Sequence, residues 1–205
     1  MFIKVCGLRT DPDVATAVEA GADAVGFVLA ASPRRVDERT AARLVAATPD
    51  HVLSVGVFKD IPAPEVARLA EATGVAAIQL HGDYTRADFD ALAPLGRPLV
   101  RATALTPRTE VDTGAYGERM LLLDSPVAGS GETWDLGPLA TRRPTGQWLL
   151  AGGLTPDTVA DAIAAARPWG VDVSSGVESS RGVKDHGRVR AFLEAARQDT
   201  PQGPS

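Results

Sequence analysis

Cysteine is almost missing from this 205-residue chain: Cys6 stands alone. That excludes an internal disulfide and fits a reducing compartment. Positive charge is in deficit, with 21 Lys and Arg against 26 Asp and Glu for a net −5. Nothing therefore favours nucleic acid as a partner, and an anionic substrate would need a local positive site rather than a global one. No apolar run approaches membrane-spanning length, so no membrane partner is expected. The start, Met1-Phe2-Ile3-Lys4-Val5-Cys6-Gly7, runs straight into a strand-like pattern and lacks the apolar core and cleavage site of a signal peptide. The expected compartment is the cytoplasm. No His/Cys/Asp set has metal-ligand spacing, and neither GxGxxG nor GxxxxGKS occurs. What is abundant is apolar residue content, 44% of the chain, enough to bury a full core.

That apolar content comes in short β-branched runs separated by Ala/Glu/Arg-rich stretches of helical period. The strand candidates are Phe2–Val5, Ala24–Val28, Val52–Phe58, Val75–Leu80, Pro98–Ala102, Met120–Leu123, Gln147–Ala151 and Gly170–Ser174. Helices are expected at Pro12–Ala20, Asp37–Ala47, Pro64–Thr73, Arg86–Ala93, Pro156–Ala166 and His186–Arg197. Pro12, Pro64 and Pro156 sit near helix starts, where a missing N–H costs least. Gly21, Gly74 and Gly170 sit where a helix must turn back into a strand. Strands alternating with helices imply parallel βαβ units. Eight units of roughly 26 residues suit a compact (β/α)8 TIM barrel, with a doubly wound open sheet as the alternative. The fifth unit is the weakest, since Thr106–Gly117 has little helical periodicity, and the sixth helix, around Leu136–Ala140, must be short. No composition break appears, so residues 1–198 read as one α/β domain, followed by a tail, 199–205, expected to be disordered.

In a parallel barrel the reactive groups gather at the carboxyl ends of the strands. The period-two rule puts Lys4 with Cys6, Gln79 with His81, Leu122 with Asp124, and Asp172 with Ser174 on shared faces. If those faces point inward, the mouth holds Cys6, His81, Asp124 and Ser174, with Lys4 and Asp172 one layer below. Two opposite charges at that depth should pair. Gly152-Gly153 after strand seven and Ser174-Ser175-Gly176 after strand eight offer backbone N–H groups and hydroxyls where such barrels commonly hold phosphate. Each residue also has a plainer reading. A lone cysteine reads as a small inert hydrophobe, Asp124 as a cap, His81 as a core residue, and Arg34 or Arg35 as a surface charge. His51 and His186 have no polar constellation around them, and Trp134, Trp148 and Trp169 read as shell packing.

Taken together, the motifs resemble one family. Lys4-Val5-Cys6-Gly7-Leu8, Gly21-Ala22-Asp23-Ala24-Val25-Gly26-Phe27, Ser32-Pro33-Arg34, Gln79-Leu80-His81-Gly82-Asp83, Leu122-Leu123-Asp124, Gly129-Ser130-Gly131, Ala151-Gly152-Gly153-Leu154 and Val171-Asp172-Val173-Ser174-Ser175-Gly176-Val177-Glu178 resemble, in order, the phosphoribosylanthranilate isomerases. The resemblance implies an Amadori rearrangement of a phosphoribosyl-anthranilate on the route to tryptophan. It implies Cys6 as general base, Asp124 as general acid, and Arg34 as the grip on the anthranilate carboxylate. His81 and Asp172 would contact the substrate, and Gly152, Gly153, Ser174, Ser175 and Gly176 would cradle its phosphate. No cofactor or metal is implied, because the Schiff base formed on ring opening is itself the electron sink. The implied partner is the small phosphosugar-anthranilate substrate, with the chain a monomer or homodimer. Two departures from the family pattern stand out: Arg35, where an uncharged residue is commoner, and a shortened loop at Gly129–Trp134. The alternatives are another phosphosugar-barrel isomerase, or a barrel kept only for ligand binding.

Overall fold

The computed structural model describes residues 1–125, 139 and 142–198. Eight parallel strands, β1 (Phe2–Cys6), β2 (Ala24–Val28), β3 (Leu53–Phe58), β4 (Ala77–His81), β5 (Leu99–Ala104), β6 (Met120–Asp124), β7 (Trp148–Leu150) and β8 (Gly170–Val173), follow one another around a closed barrel. Closure is by β8 on β1, with Lys4 opposite Asp172. The open doubly wound sheet is thereby excluded. Every expected strand is present, with ends displaced by at most two residues.

The helices are α1 (Asp11–Glu19), α2 (Glu38–Ala46), α3 (Ala63–Thr73), α4 (Arg86–Leu92), α5 (Val159–Ala166) and α6 (His186–Gln198). Local chemistry sets their starts. Thr10 and Asp13 form a reciprocal capping box on α1, and the Asp37 side chain caps α2 through the Thr40 N–H. Gly74, at φ 72°, ends α3 in the left-handed conformation that glycine adopts without strain. Helix α5 starts at Val159 rather than at Pro156 as expected. The Thr155 N–H donates to Thr158 Oγ1 at 3.0 Å and holds Thr155–Thr158 as a turn, a side-chain bond that competes with the helix.

Between β5 and β6 there is no α-helix, as the missing periodicity suggested. Arg101 ties that segment down instead, with Nε on Glu118 Oε1 at 2.7 Å and Nη1 on Glu110 O at 2.9 Å. After β8 comes a short 3-10 turn, Ser175–Val177, and an antiparallel hairpin, β9 (Glu178–Ser180) and β10 (Val183–Lys184), that was not expected. The loop Gly129–Trp134, the sixth helix apart from Leu139, and the tail 199–205 lie outside the described residues.

Alternation along the strands divides the core in two. Ile3, Val5, Phe27, Ile78, Leu121 and Leu123 face the helices, while Val55, Val57, Val100, Leu122 and Leu149 fill the barrel. Each fully buried side chain of this size contributes roughly 1.5–3 kcal/mol relative to exposure. At the amino-terminal end Phe2 and Trp169 stack with ring centroids 4.7 Å apart. The barrel is thus plugged at that end, and its polar inward residues collect at the other. Among the described residues no helix is long and apolar enough to cross a membrane.

Candidate active site

At the carboxyl ends of the strands lies a cavity of about 350 Å3. Cys6, His81, Asp124 and Asp172 line it, together with Gly152-Gly153 and Ser174-Ser175. Nearly all the sequence-expected site residues therefore share one space.

Beneath Cys6, Lys4 is 2% exposed and its Nζ donates to Asp172 Oδ1 at 2.8 Å. This is the charge pair expected from the strand pattern. Burial works against the Lys4 charge, but Asp172 and Cys6 outweigh it and hold the ammonium above its ordinary range. Gly26 of β2 makes room for the stack, since a Cβ there would lie 2.8 Å from Cys6 Sγ and 3.2 Å from Lys4 Nζ. Lys4 assists ionisation of Cys6 yet does not prevail: burial pushes the thiol up, and Lys4 and Lys184 only partly offset it.

Across the mouth, Asp124 ends β6. Burial raises its carboxyl, against the opposing pull of His81 and the Ser125 N–H, which donates to Oδ1 at 2.8 Å. His81 Nε2 is 3.9 Å from Asp124 Oδ2, too far for a direct hydrogen bond, and burial pushes the imidazole toward its neutral form. The site thus holds a carboxyl biased toward protonation opposite a thiol, the two on β6 and β1.

The expected phosphate cradle is only partly as drawn. Gly152 and Gly153 have φ of 85° and 67°, so the turn after β7 needs glycine. Ser174 and Ser175 line the cavity, and Ser174 Oγ donates to the Cys6 carbonyl at 3.1 Å. Gly176 does not line it. A Cβ there would fall 1.8 Å from Leu154 O, so Gly176 lets the turn after β8 press against the chain that follows Gly153. Asp172 lines the cavity, but with Oδ1 held by Lys4.

Arg34 borders the cavity, whereas Arg35 is exposed and lies in a separate outer groove. Arg34 is engaged: its Nε and Nη2 donate to Glu178 Oε1 and Oε2 at 2.6 and 3.0 Å. His186 is likewise not isolated, because its Nε2 lies 2.9 Å from Asp13 Oδ1, across from α1. That pairing joins residues 173 positions apart and left no local signal.

Four residues were given no site role from the sequence. Lys59 lines the cavity and directly follows β3, so extending the strand-end rule to that strand would have found it. Gln79, 2% exposed, also lines it, and its Oε1 has no partner among the described residues. An acceptor left so costs about 1–3 kcal/mol unless a ligand hydroxyl meets it. Glu178 and Arg181 belong to the unexpected hairpin, and Arg181 lines the cavity. Among the described residues no group of three or more His, Cys, Asp or Glu could hold a metal.

Comparison with known proteins follows the same line. Residues 3–195 match the family described as N-(5'-phosphoribosyl)anthranilate (PRA) isomerase. The N-(5'-phosphoribosyl)anthranilate isomerase of Methylibium petroleiphilum is 43% identical over 205 residues, covering 96% of this chain and 93% of that one. The crystal structure of TrpF from Jonesia denitrificans superimposes with a TM-score of 0.90 at 50% identity, covering 97% and 98% of the two chains. A phosphoribosyl anthranilate isomerase in complex with reduced 1-(o-carboxyphenylamino)-1-deoxyribulose 5-phosphate superimposes at 0.82 with 30% identity, covering 97% and 99%.

Proposed function

Because the chain belongs to the phosphoribosylanthranilate isomerase family and rearranges N-(5'-phosphoribosyl)anthranilate in tryptophan biosynthesis, we propose that Cys6 is its base and Asp124 its acid. One observation carries this reading: thiol and raised carboxyl line the same cavity, with Arg34 and the Gly153–Ser175 loops also on its wall.

Asp124 gives its proton to the furanose oxygen as the bond from that oxygen to C1 breaks. The anilino nitrogen lone pair closes the C1–N double bond of a Schiff base. Cys6, as thiolate, takes the proton from C2, and the electron pair moves to C1–C2, neutralising the iminium as an enolamine. Transfer of a proton to C1, with loss of the C2 hydroxyl proton, gives the ketose. No redox partner is consumed. Arg34 grips the ring carboxylate, a task suited to a planar guanidinium. Gly152, Gly153, Ser174 and Ser175 take the phosphate, with Gly176 holding the two loops together. His81, Asp172 and Gln79 face the sugar chain. We place the activity in the cytoplasm, in a monomer or homodimer, with neither nucleic acid nor membrane as partner.

Replacing either group should affect turnover more than binding. Cys6→Ser and Asp124→Asn are expected to lower kcat by at least about 100-fold with modest change in KM, the scale of positioned proton transfer. A fully active Cys6→Ser enzyme would return Cys6 to an inert core role and leave the base to be found elsewhere, beginning with His81.

A further inference from the structure

We propose that Glu178 is the positioning residue for Arg34: it clamps one edge of the guanidinium so that the other edge meets the ring carboxylate of the substrate. The inference rests on the reading of Arg34 given above. A guanidinium carries five N–H donors in a fixed plane. Glu178 takes Nε and Nη2 at 2.6 and 3.0 Å, a fork that fixes both plane and rotation. Among the described residues no acceptor engages Nη1, so the end formed by Nη1 and the second Nη2 proton is left for a second carboxylate. Arg34 lies against the residue that follows β1 because Gly7 has no side chain; a Cβ there would sit 2.7 Å from Arg34 Cδ.

Glu178 is itself held on every side. The Gly182 N–H donates to Oε2 at 3.1 Å, and Lys184 Nζ donates to Oε1 at 3.0 Å. Burial alone would raise this carboxyl, but Arg34, the Gly182 N–H and Lys184 outweigh burial and bring it down to about 2. It is therefore ionised throughout any working pH. Gly182, at φ 83°, turns the β9–β10 hairpin back on the loop that carries Arg34, and a Cβ there would lie 2.7 Å from the Pro33 carbonyl oxygen. Arg9 Nη1 adds a bond to Gly182 O at 3.2 Å. Lys184 Nζ also reaches Ser174 O at 2.8 Å. One carboxylate thus ties the arginine at the carboxylate end of the cavity to the lysine under its phosphate end.

A competing effect has the opposite sign, because the Glu178 charge also offsets that of Arg34 and would weaken its pull on an anion. With four donors on its two oxygens, that charge is largely spent. An unclamped arginine, by contrast, regains rotamer freedom that binding must remove again. Clamping should win.

The test compares two ligands, the reduced product analogue with its ring carboxylate and the same compound without it, against wild type, R34A, E178Q and R34A/E178Q. E178Q is expected to weaken the carboxylate-bearing ligand by about tenfold, the scale of one charged hydrogen bond, while the other changes less than about twofold. In the R34A background E178Q should add nothing, since the residue it positions is gone. If E178Q does not fold, E178Q/K184M, which leaves no unpaired buried lysine, replaces it, and the ratio between the two ligands remains the readout. Tighter binding by E178Q, equal loss for both ligands, or losses that multiply with those of R34A would overturn the inference while leaving Arg34 as anchor. If R34A itself fails to discriminate the ligands, the reading of Arg34 falls, and this inference with it.

Discussion

Replacing Asp172 with Asn removes the only carboxylate that, among the described residues, is bonded to Lys4, a lysine 2% exposed and sealed inside the barrel. The resulting cost can be worked two ways. Breaking a buried ion pair by removing one partner costs about 3–5 kcal/mol, because a buried charge is left uncompensated. Lys4 can escape that cost only by shedding its proton. At pH 7 this costs about 4.6 kcal/mol, from an ordinary lysine pKa near 10.4 at about 1.36 kcal/mol per pH unit. The two figures agree, so Asp172→Asn should lose roughly 3–5 kcal/mol. For a domain of this size that corresponds to a fall in Tm of roughly 6–20 °C. Urea unfolding followed by tryptophan fluorescence reads it directly. The pH dependence has a definite sign. In the variant the folded protein holds Lys4 neutral while the unfolded chain keeps it charged. The unfolded state then binds the extra proton, and stability rises with pH. The deficit should shrink as pH climbs from 7 toward 10. A paired replacement, Lys4→Met with Asp172→Leu, should recover most of the loss, since it leaves no charge behind. A loss below about 1 kcal/mol, or one that does not change with pH, would refute the reasoning.

Other perturbations test the walls of the site. Gly176→Ala places a Cβ against Leu154 O, where only 1.8 Å is available; the turn must shift, costing about 1–3 kcal/mol of overpacking. Weaker inhibition by inorganic phosphate should accompany that loss, and unchanged inhibition would detach Gly176 from the cradle. Gly153→Asp adds bulk and a like charge at φ 67°, so KM should rise steeply while circular dichroism stays native. Arg35→Ala should leave KM within about twofold, as surface changes of under 0.5 kcal/mol do; an effect equal to that of Arg34→Ala would move the anchor by one residue.

Much of the barrel was legible because period-two and period-3.6 patterns are local. Phe2–Cys6 and Met120–Asp124 read as strands without reference to anything else, and the pairing of Lys4 with Asp172 followed from closure and the cost of a buried charge. The β9–β10 hairpin was not legible. Its strands of three and two residues are too short to show a period, and its purpose is seen only when Glu178 meets Arg34, 144 positions away. The packing of Gly176 was hidden for a related reason. In sequence it looks like part of a phosphate-binding turn, and nothing local shows that its missing side chain also makes room for Leu154. The direction of the Cys6 shift was also beyond the sequence, which shows the lysine two residues away but not the depth at which both are buried.

The division of labour between Cys6 and Asp124 is tested most directly by the pH dependence of kcat, followed by loss of anthranilate fluorescence, in wild type and both variants. Burial raises both groups, and the thiol starts from about 8.5 against about 3.9 for the carboxyl. The competent form, acid protonated and base ionised, is then a minority at every pH, and wild-type activity is a plateau bounded by the two titrations. Cys6→Ser retains only the acid, so its residual activity should fall as pH rises past the carboxyl. Asp124→Asn retains only the base, so its residual activity should climb with pH until the thiol is ionised. Profiles with these two limbs exchanged, or a variant that keeps the full wild-type plateau, would contradict the assignment.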